Sequence, residues 1–511
     1  MKFAPFHGIR LLIAILIALV VASTLCYADN GNSDGLLKLT ILHMNDPHAH
    51  YVPYSKEGSS GLIGGFGKAR TVISEVQAQN RELGRHTLIF LAGDLLMGTP
   101  FSTAFKGQLG VTLMNEMQFD AMVIGNHDFD YGTDNLMTNV KSNAKFSLIS
   151  ANIKTRSGDY IFQRTLIKNI SNPKSRIVVL GLTTPDTPVT TFPDNVKDLV
   201  FEDSVRTAQE VLLGADERDL VIALTHLGVQ EDKRLAQACP RIDIIIGGHS
   251  HTPLFKPVKV NNTVICQAGA YAQYIGKLDV EVQDGRVVKY SGELISLGPE
   301  INEDPQIAST IDQFKSTMDS SLNSVIGDTQ VLLEGGRRSA VRSGRGTNLG
   351  RLIAYNMAVS ARSEVTLING GAIRASLQKG NITLGEVYTV LPFPDTVVKM
   401  DLSGADIAEV LQRSAGLPDG SGGKLQSFGI EYGFEDGKVK ITRIGERGFE
   451  PEKAYSVATN NFLAAGGDGY IVFKEKGRNI YDSSILVSDL LVNYIKEKKD
   501  ITQSVLDSIE R

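Results

Sequence analysis

The stretch Gly125-Asn126-His127-Asp128-Phe129-Asp130 places four residues able to hold a cation or move a proton directly after the apolar run 121–124. A short buried strand that stops at a glycine and delivers polar side chains at its C-terminal end marks a ligand crevice in an α/β sheet. Asn126 offers a neutral oxygen to a cation. His127 can transfer a proton near pH 7, and Asp130 can orient the ring or raise its basicity. Other apolar runs end the same way. Run 37–42 leads to Asp46 and His48, run 87–92 to Asp94, run 220–224 to His226, and run 242–246 to Gly247-Gly248-His249-Ser250-His251.

Asp46, His48, Asp94, Asn126, His226, His249 and His251 therefore gather at one strand-end edge. They suffice for two adjacent divalent cations with one carboxylate bridging. Mixed nitrogen and oxygen ligation suits Zn, Mn, Fe or Co and is poor for Ca or Mg alone. Two such ions a few Å apart activate a water and hold the attacking and leaving oxygens of a phosphoryl transfer. Any one histidine, taken alone, reads more readily as a core or surface residue. The set does not: of nine histidines, one lies at His7, and six of the other eight fall within or beside these motifs. His43 and His86 read as structural, while His50 reads equally well as support for a ligand or as a polar bystander.

The elements that must position these residues alternate β-rich runs with helical stretches, an α/β pattern of central strands covered on both faces. At 511 residues the chain is too long for one core, so two domains are expected. Runs 263–266 and 277–283 close the first. Asp304, Pro305 and apolar residues at spacings of three and four predict one amphipathic helix over 304–325 as the connector. A second α/β unit follows, rich in glycine loops. The expected division is a leader at 1–28, a first domain at 36–300, a linker helix at 301–326 and a second domain at 327–511.

The leader has Lys2 and Arg10, an apolar run over 11–22, and small residues before a cut after Ala28, the pattern of a secretory signal. A membrane anchor is the alternative, but a dozen apolar residues are few for a span. Lipidation at Cys26 meets the large Leu25. Cleavage takes the net charge from −5 to −7, and no basic cluster offers itself to a nucleic acid polymer. After cleavage no membrane anchor is expected. Cys239 and Cys266 remain, as one disulfide or as two buried thiols. Nothing in the sequence specifies an oligomeric state.

The motifs Asp46-x-His48, Gly93-Asp94, Gly125-Asn126-His127-Asp128, Thr225-His226 and Gly247-Gly248-His249-x-His251 resemble, in order, those of the calcineurin-like metallophosphoesterases. In the second half, Asn369-Gly370-Gly371-x-Ile373-Arg374, 388–393 and Gly466-Gly467-Asp468-Gly469-Tyr470 resemble the substrate domain of secreted 5'-nucleotidases, a group that includes the 5'-nucleotidase/UDP-sugar hydrolases. The resemblance implies one metal on Asp46, His48, Asp94 and His251, and a second on Asp94, Asn126, His226 and His249. It implies that His127, oriented by Asp130, stabilises the transferring phosphoryl group. It implies a nucleobase stacked between Phe393 and Phe462, a ribose contact from Asp468, and phosphate contacts from Arg374 with Arg338 and Arg342, for which Arg337 and Arg345 compete. Where the family carries Gly-Asn after Pro-Phe, this chain has Pro394-Asp395, which is expected to shift base preference. The function so implied is release of phosphate from nucleotides. Its rivals are hydrolysis of UDP-sugars, cyclic nucleotides or thiosulfonate-type esters on the same scaffold, and a secreted nucleotide- or metal-binding protein without turnover.

Overall fold

The computed structural model describes residues 35–509 apart from 55–60, 172–173, 192, 319, 336–345 and 446. The leader and Arg337, Arg338, Arg342 and Arg345 lie outside the described residues.

The strand Leu37–Met44 buries every residue but Lys38, as a run covered on both faces requires. His86–Leu91, Ala121–Val123 and Ser147–Ile149 extend it in parallel, and the hairpin Tyr274–Gln283 and Arg286–Ser296 adds antiparallel to its other edge. A second six-stranded sheet centres on Ile244–Gly247 and Leu220–His226. Both are parallel to Thr263–Gln267 and Lys174–Thr183, with antiparallel strands at each edge. Leu39, Ile41, Leu88 and Phe90 of the first sheet share one core with Ile177, Val179, Ile222 and Ile246 of the second. Each such buried side chain contributes roughly 1.5–3 kcal/mol, which makes this layer a stiff frame for the strand ends. Helices Phe66–Glu82 and Gln108–Glu116 cover the outer face of the first sheet, and Ser204–Leu212 and Val229–Ala238 that of the second. The edge read from the sequence is thus shared by two sheets. Asp46, His48, Asp94 and Asn126 follow strands of the first, and His226, His249 and His251 end or follow strands of the second.

The expected connector is shorter than its apolar spacing suggests. Asp304 caps it, its carboxylate accepting from the Gln306 and Ile307 amides, but the helix spans only Pro305–Thr317, and Val325–Thr329 is already a strand. The segment after Lys315 is rich in Ser, Thr and Asn. Ser316 and Thr317 turn their hydroxyls back onto the Gln313 and Phe314 carbonyls, competition that ends helices. Ile307 and Ile311 are buried in the first domain's outer core, so the helix belongs to that domain's packing.

The second unit carries a five-stranded sheet in the order Leu425–Phe428, Val365–Asn369, Ala454–Asn460, Thr396–Ser403, Arg478–Leu486. Helices Asn348–Ala361, capped by Thr347, and Val487–Lys498 pack with it around Leu352, Ile353, Ile368 and Leu491. Cys239 and Cys266 are separate buried thiols, and burial pushes Cys266 up to about 12.

Candidate metal centre

Five of the seven predicted ligands stand in left-handed backbone: Asp46 (φ 50°), His48 (47°), Asp94 (56°), His249 (75°) and His251 (54°). Such conformations are costly for non-glycine residues and persist where surrounding structure over-determines them. Here the turns are bound to one another: the Asp46 amide donates to the Gly93 carbonyl and the His48 amide to the Asp94 carbonyl, both at 3.1 Å. The Asp128 carboxylate accepts the amides of Asp94, Leu95, Leu96 and Gly125 and so ties the second and third strand ends together. Burial beside Asp94 pushes Asp128 up to about 7, opposed by these amide donors. Gly125 must be glycine, because a Cβ there would run into the Asp94 carboxylate.

Two groups of ligand atoms result, Asp46–His48–His251 and Asp94–His226–His249, each within 4.8 Å of one another. In the first, His251 Nε2 lies 3.2 Å from Asp46 Oδ1 and 3.1 Å from His48 Nε2. In the second, Asp94 Oδ2 lies 3.2 Å from His226 Nε2, and Asn126 Oδ1 lies 3.2 Å from His226 Nε2 and 3.0 Å from His249 Nδ1. Asp94 Oδ2 is also 3.6 Å from His48 Nε2, so one carboxylate oxygen serves both groups.

The ligand atoms are aimed by what lies behind them. The Nδ1 atoms of His48 and His226 meet the Met97 and Ala92 carbonyls at 2.9 and 2.8 Å, which leaves each Nε2 lone pair facing inward. Asn126 donates its amide to the Thr190 carbonyl at 3.1 Å and presents its oxygen. Asn45 donates to Asp46 Oδ2 at 2.8 Å and to the Gly269 carbonyl. Gln267, fully buried, accepts from Ser250 Oγ and the Thr252 amide and donates to the Gly248 carbonyl, clamping the loop that bears His249 and His251.

Burial opposes ionisation of Asp46 and Asp94, yet His251 and His226 beside Asp46, and His226 and His127 beside Asp94, hold both carboxyls below the usual range. Burial, followed by the Arg374 charge, drives His48 well below the usual imidazole value. Burial works against the His226 cation as well, but Asp94 pushes it up to about 10. Imidazole nitrogens, carboxylates and an amide oxygen make a donor set that fits two divalent cations.

Beside this centre, His127 Nδ1 lies 2.6 Å from Asp130 Oδ2, and its ring is 5.3 Å from that of His48. The other Asp130 oxygen accepts from Thr191 Oγ1 at 2.6 Å. The second domain reaches the same place. Arg374 Nη2 donates to His48 Nε2 at 3.3 Å, and the Phe393 ring sits 5.8 Å from His127 and 5.7 Å from the Arg374 guanidinium. The helix Leu384–Val390, fixed by a Thr383–Glu386 capping box, delivers Phe393 just past its end. Phe462 packs on Gly467, where a Cβ would strike its ring. Asp468 (φ 52°) accepts from Asn369 Nδ2 at 3.0 Å, and Asp395 accepts from Asn460 Nδ2 at 2.8 Å. Burial pushes Asp395 up to about 7, against the Asn460 bond and with Asp130 and Asp468 adding to it. Sequence reasoning missed Asn45, Thr191, Gln267 and Tyr271, whose ring lies 5.3 Å from His251 and 5.7 Å from His48. Only Asn45, adjacent to Asp46, stood near enough to a motif to be found. His50 turns out to support the site's rim, its Nδ1 on the His48 carbonyl and its ring 4.7 Å from Tyr271.

Comparison with known proteins gives the same two halves. The sequence model of the calcineurin-like phosphoesterases matches residues 39–253, and that of the 5'-nucleotidase C-terminal domain matches residues 325–475. The chain is 31% identical to a snake venom 5'-nucleotidase of Naja atra over 90% of this chain and 96% of that one. It is 33% identical to the trifunctional nucleotide phosphoesterase protein YfkN of Bacillus subtilis over 86% of its own length, and there it spans only 33% of the relative. The crystal structure of a 5'-nucleotidase precursor from Thermus thermophilus superposes with a TM-score of 0.82 at 30% identity, covering 91% of this chain and 97% of that one.

Proposed function

We propose that this chain, which belongs to the 5'-nucleotidase family of calcineurin-like metal-dependent phosphoesterases, is a secreted enzyme that releases the 5'-phosphate of nucleotides. The observation that carries the reading is the meeting of Arg374 and Phe393 of one domain with His48 and His127 of the other, over twin ligand groups that share Asp94. Asp46, His48, Asp94 and His251 would hold one cation, and Asp94, Asn126, His226 and His249 the other. Bound divalent cations supply Lewis acidity that activates water near neutral pH and offsets phosphoryl charge.

The remaining work falls to the protein's own groups. His127, held through Nδ1 by Asp130, turns its Nε2 to the phosphoryl group and offsets charge as the P–O bond breaks. Arg374 binds phosphate oxygens, a role suited to its planar fork. Phe393 and Phe462 take the base between them, Asp468 takes the ribose, and Asp395 tunes the choice of base. The leader at 1–28 supports secretion or a periplasmic location.

The test is phosphate release from AMP, GMP, UMP and CMP by the purified protein supplied with Mn²⁺ or Zn²⁺. Release that EDTA abolishes and added metal restores is the expected result. Nucleotide binding without release would overturn the reading.

A further inference from the structure

The segment 184–191 follows the strand Lys174–Thr183, and none of the candidate site residues lies in it. Its last two residues touch both halves of the hydrolytic machinery. The Thr190 carbonyl accepts from Asn126 Nδ2 at 3.1 Å, and Thr191 Oγ1 donates to Asp130 Oδ1 at 2.6 Å. Thr191 is only 1% exposed, so water does not replace that donor. Asp130 Oδ2 is taken by His127 Nδ1 at 2.6 Å, so both oxygens of this carboxylate are held and its plane is fixed. Asn195 holds the same turn from below, its amide donating to the Phe129 and Asp130 carbonyls at 3.0 Å.

We propose that Thr191 is a positioning residue for phosphoester hydrolysis: it locks the Asp130 carboxylate that orients His127, and through its neighbour Thr190 it registers that pair against the ligand Asn126. The proposal rests on the phosphohydrolase reading above. A carboxylate with a broad terminal torsion rotates once a single oxygen is held, and the imidazole it carries then swings with it. A chain of buried donors and acceptors removes that freedom before substrate arrives. The helical turn Thr187–Thr190 also packs against Gly467–Gly469 of the second domain, the loop that carries Asp468. The contact that fixes His127 is thus made by the part of the first domain that meets the nucleoside-binding loop.

The experiment compares wild type, T191V, T191S, D130A and D130A/T191V. Valine keeps the shape of threonine and removes the donor, while serine keeps the donor. For T191V, kcat on AMP is expected to fall about 10- to 100-fold with KM and bound-metal content unchanged, and T191S to recover to within a few fold of wild type. In the D130A background the valine is expected to cost nothing further, because its partner is already gone. The proposal is overturned if T191V keeps wild-type kcat, if serine is no better than valine, or if the double variant falls clearly below D130A. Bound metal and melting temperature of each variant separate misfolding from misorientation. The whole series is repeated on bis(p-nitrophenyl) phosphate, which carries no base or ribose. Wild-type turnover of that ester alone refutes the nucleotide reading while still reporting on Thr191.

Discussion

At the scale of single residues, Asn126 and His127 are neighbours with separate work. Asn126 turns its oxygen to the nitrogens of His226 and His249, inside one ligand group. His127 stands beside the groups, its ring 5.3 Å from that of His48 and its Nδ1 on Asp130. Asn126→Ala is therefore expected to weaken metal binding, read as a rise in Kd for Mn²⁺ in calorimetric titration. His127→Ala is expected to retain both ions and lose about 10²- to 10⁴-fold in kcat. Equal metal loss in the two variants would contradict this division. The candidate ligands stand out in the sequence because their residue types are rare, chemically specific and set at strand ends. Thr191 and Gln267 do not. Hydroxyls and amides are common along the chain, and only tertiary proximity selects one as the partner of the Asp130 carboxylate or of the loop that bears His249 and His251.

At the scale of elements, strand existence was legible wherever a continuous apolar run demanded two covered faces, as in Leu220–His226. The helix over 304–325 was misjudged in length because apolar spacing records a face and not a terminus. Local hydroxyl competition at Ser316 and Thr317 decides the end. The strand Leu37–Met44 also carries a liability. His43 pairs in register with Gly276, is 1% exposed, and has its Nδ1 without a hydrogen-bond partner. Burial lowers it from 6.5 to about 4. The folded state thus refuses a proton that the unfolded chain accepts. The His43 contribution to stability is therefore full above pH 6.5 and is expected to be lost as pH falls toward 4, about 3 kcal/mol in all. His43→Leu is expected to flatten this acid limb, seen in urea midpoints of metal-stripped protein between pH 4 and 6.5. Parallel pH curves for wild type and variant would refute the assignment.

At the scale of the whole molecule, the proposed site draws on both domains. The first supplies the ligands and His127. The second supplies Arg374 and Phe393, which arrive at His48 and His127. If a substrate is gripped between them as proposed, relative movement of the domains is expected to admit and release it. The share of each domain in binding is separable by substrate. Phe393→Ala is expected to raise KM for AMP about 5- to 100-fold, the weight of one stacked base, and to leave hydrolysis of bis(p-nitrophenyl) phosphate unchanged. An equal loss on both substrates would place Phe393 in the chemistry and not in base recognition.

The left-handed turns at Asp46, His48, Asp94, His249 and His251 have one more consequence. Their shape is held by hydrogen bonds among amides, carbonyls and the Asn45, Asp128 and Gln267 side chains. The turns are thus coupled through protein hydrogen bonds, so that a substitution at Asp128 or Gln267 disturbs more than one strand-end turn at once.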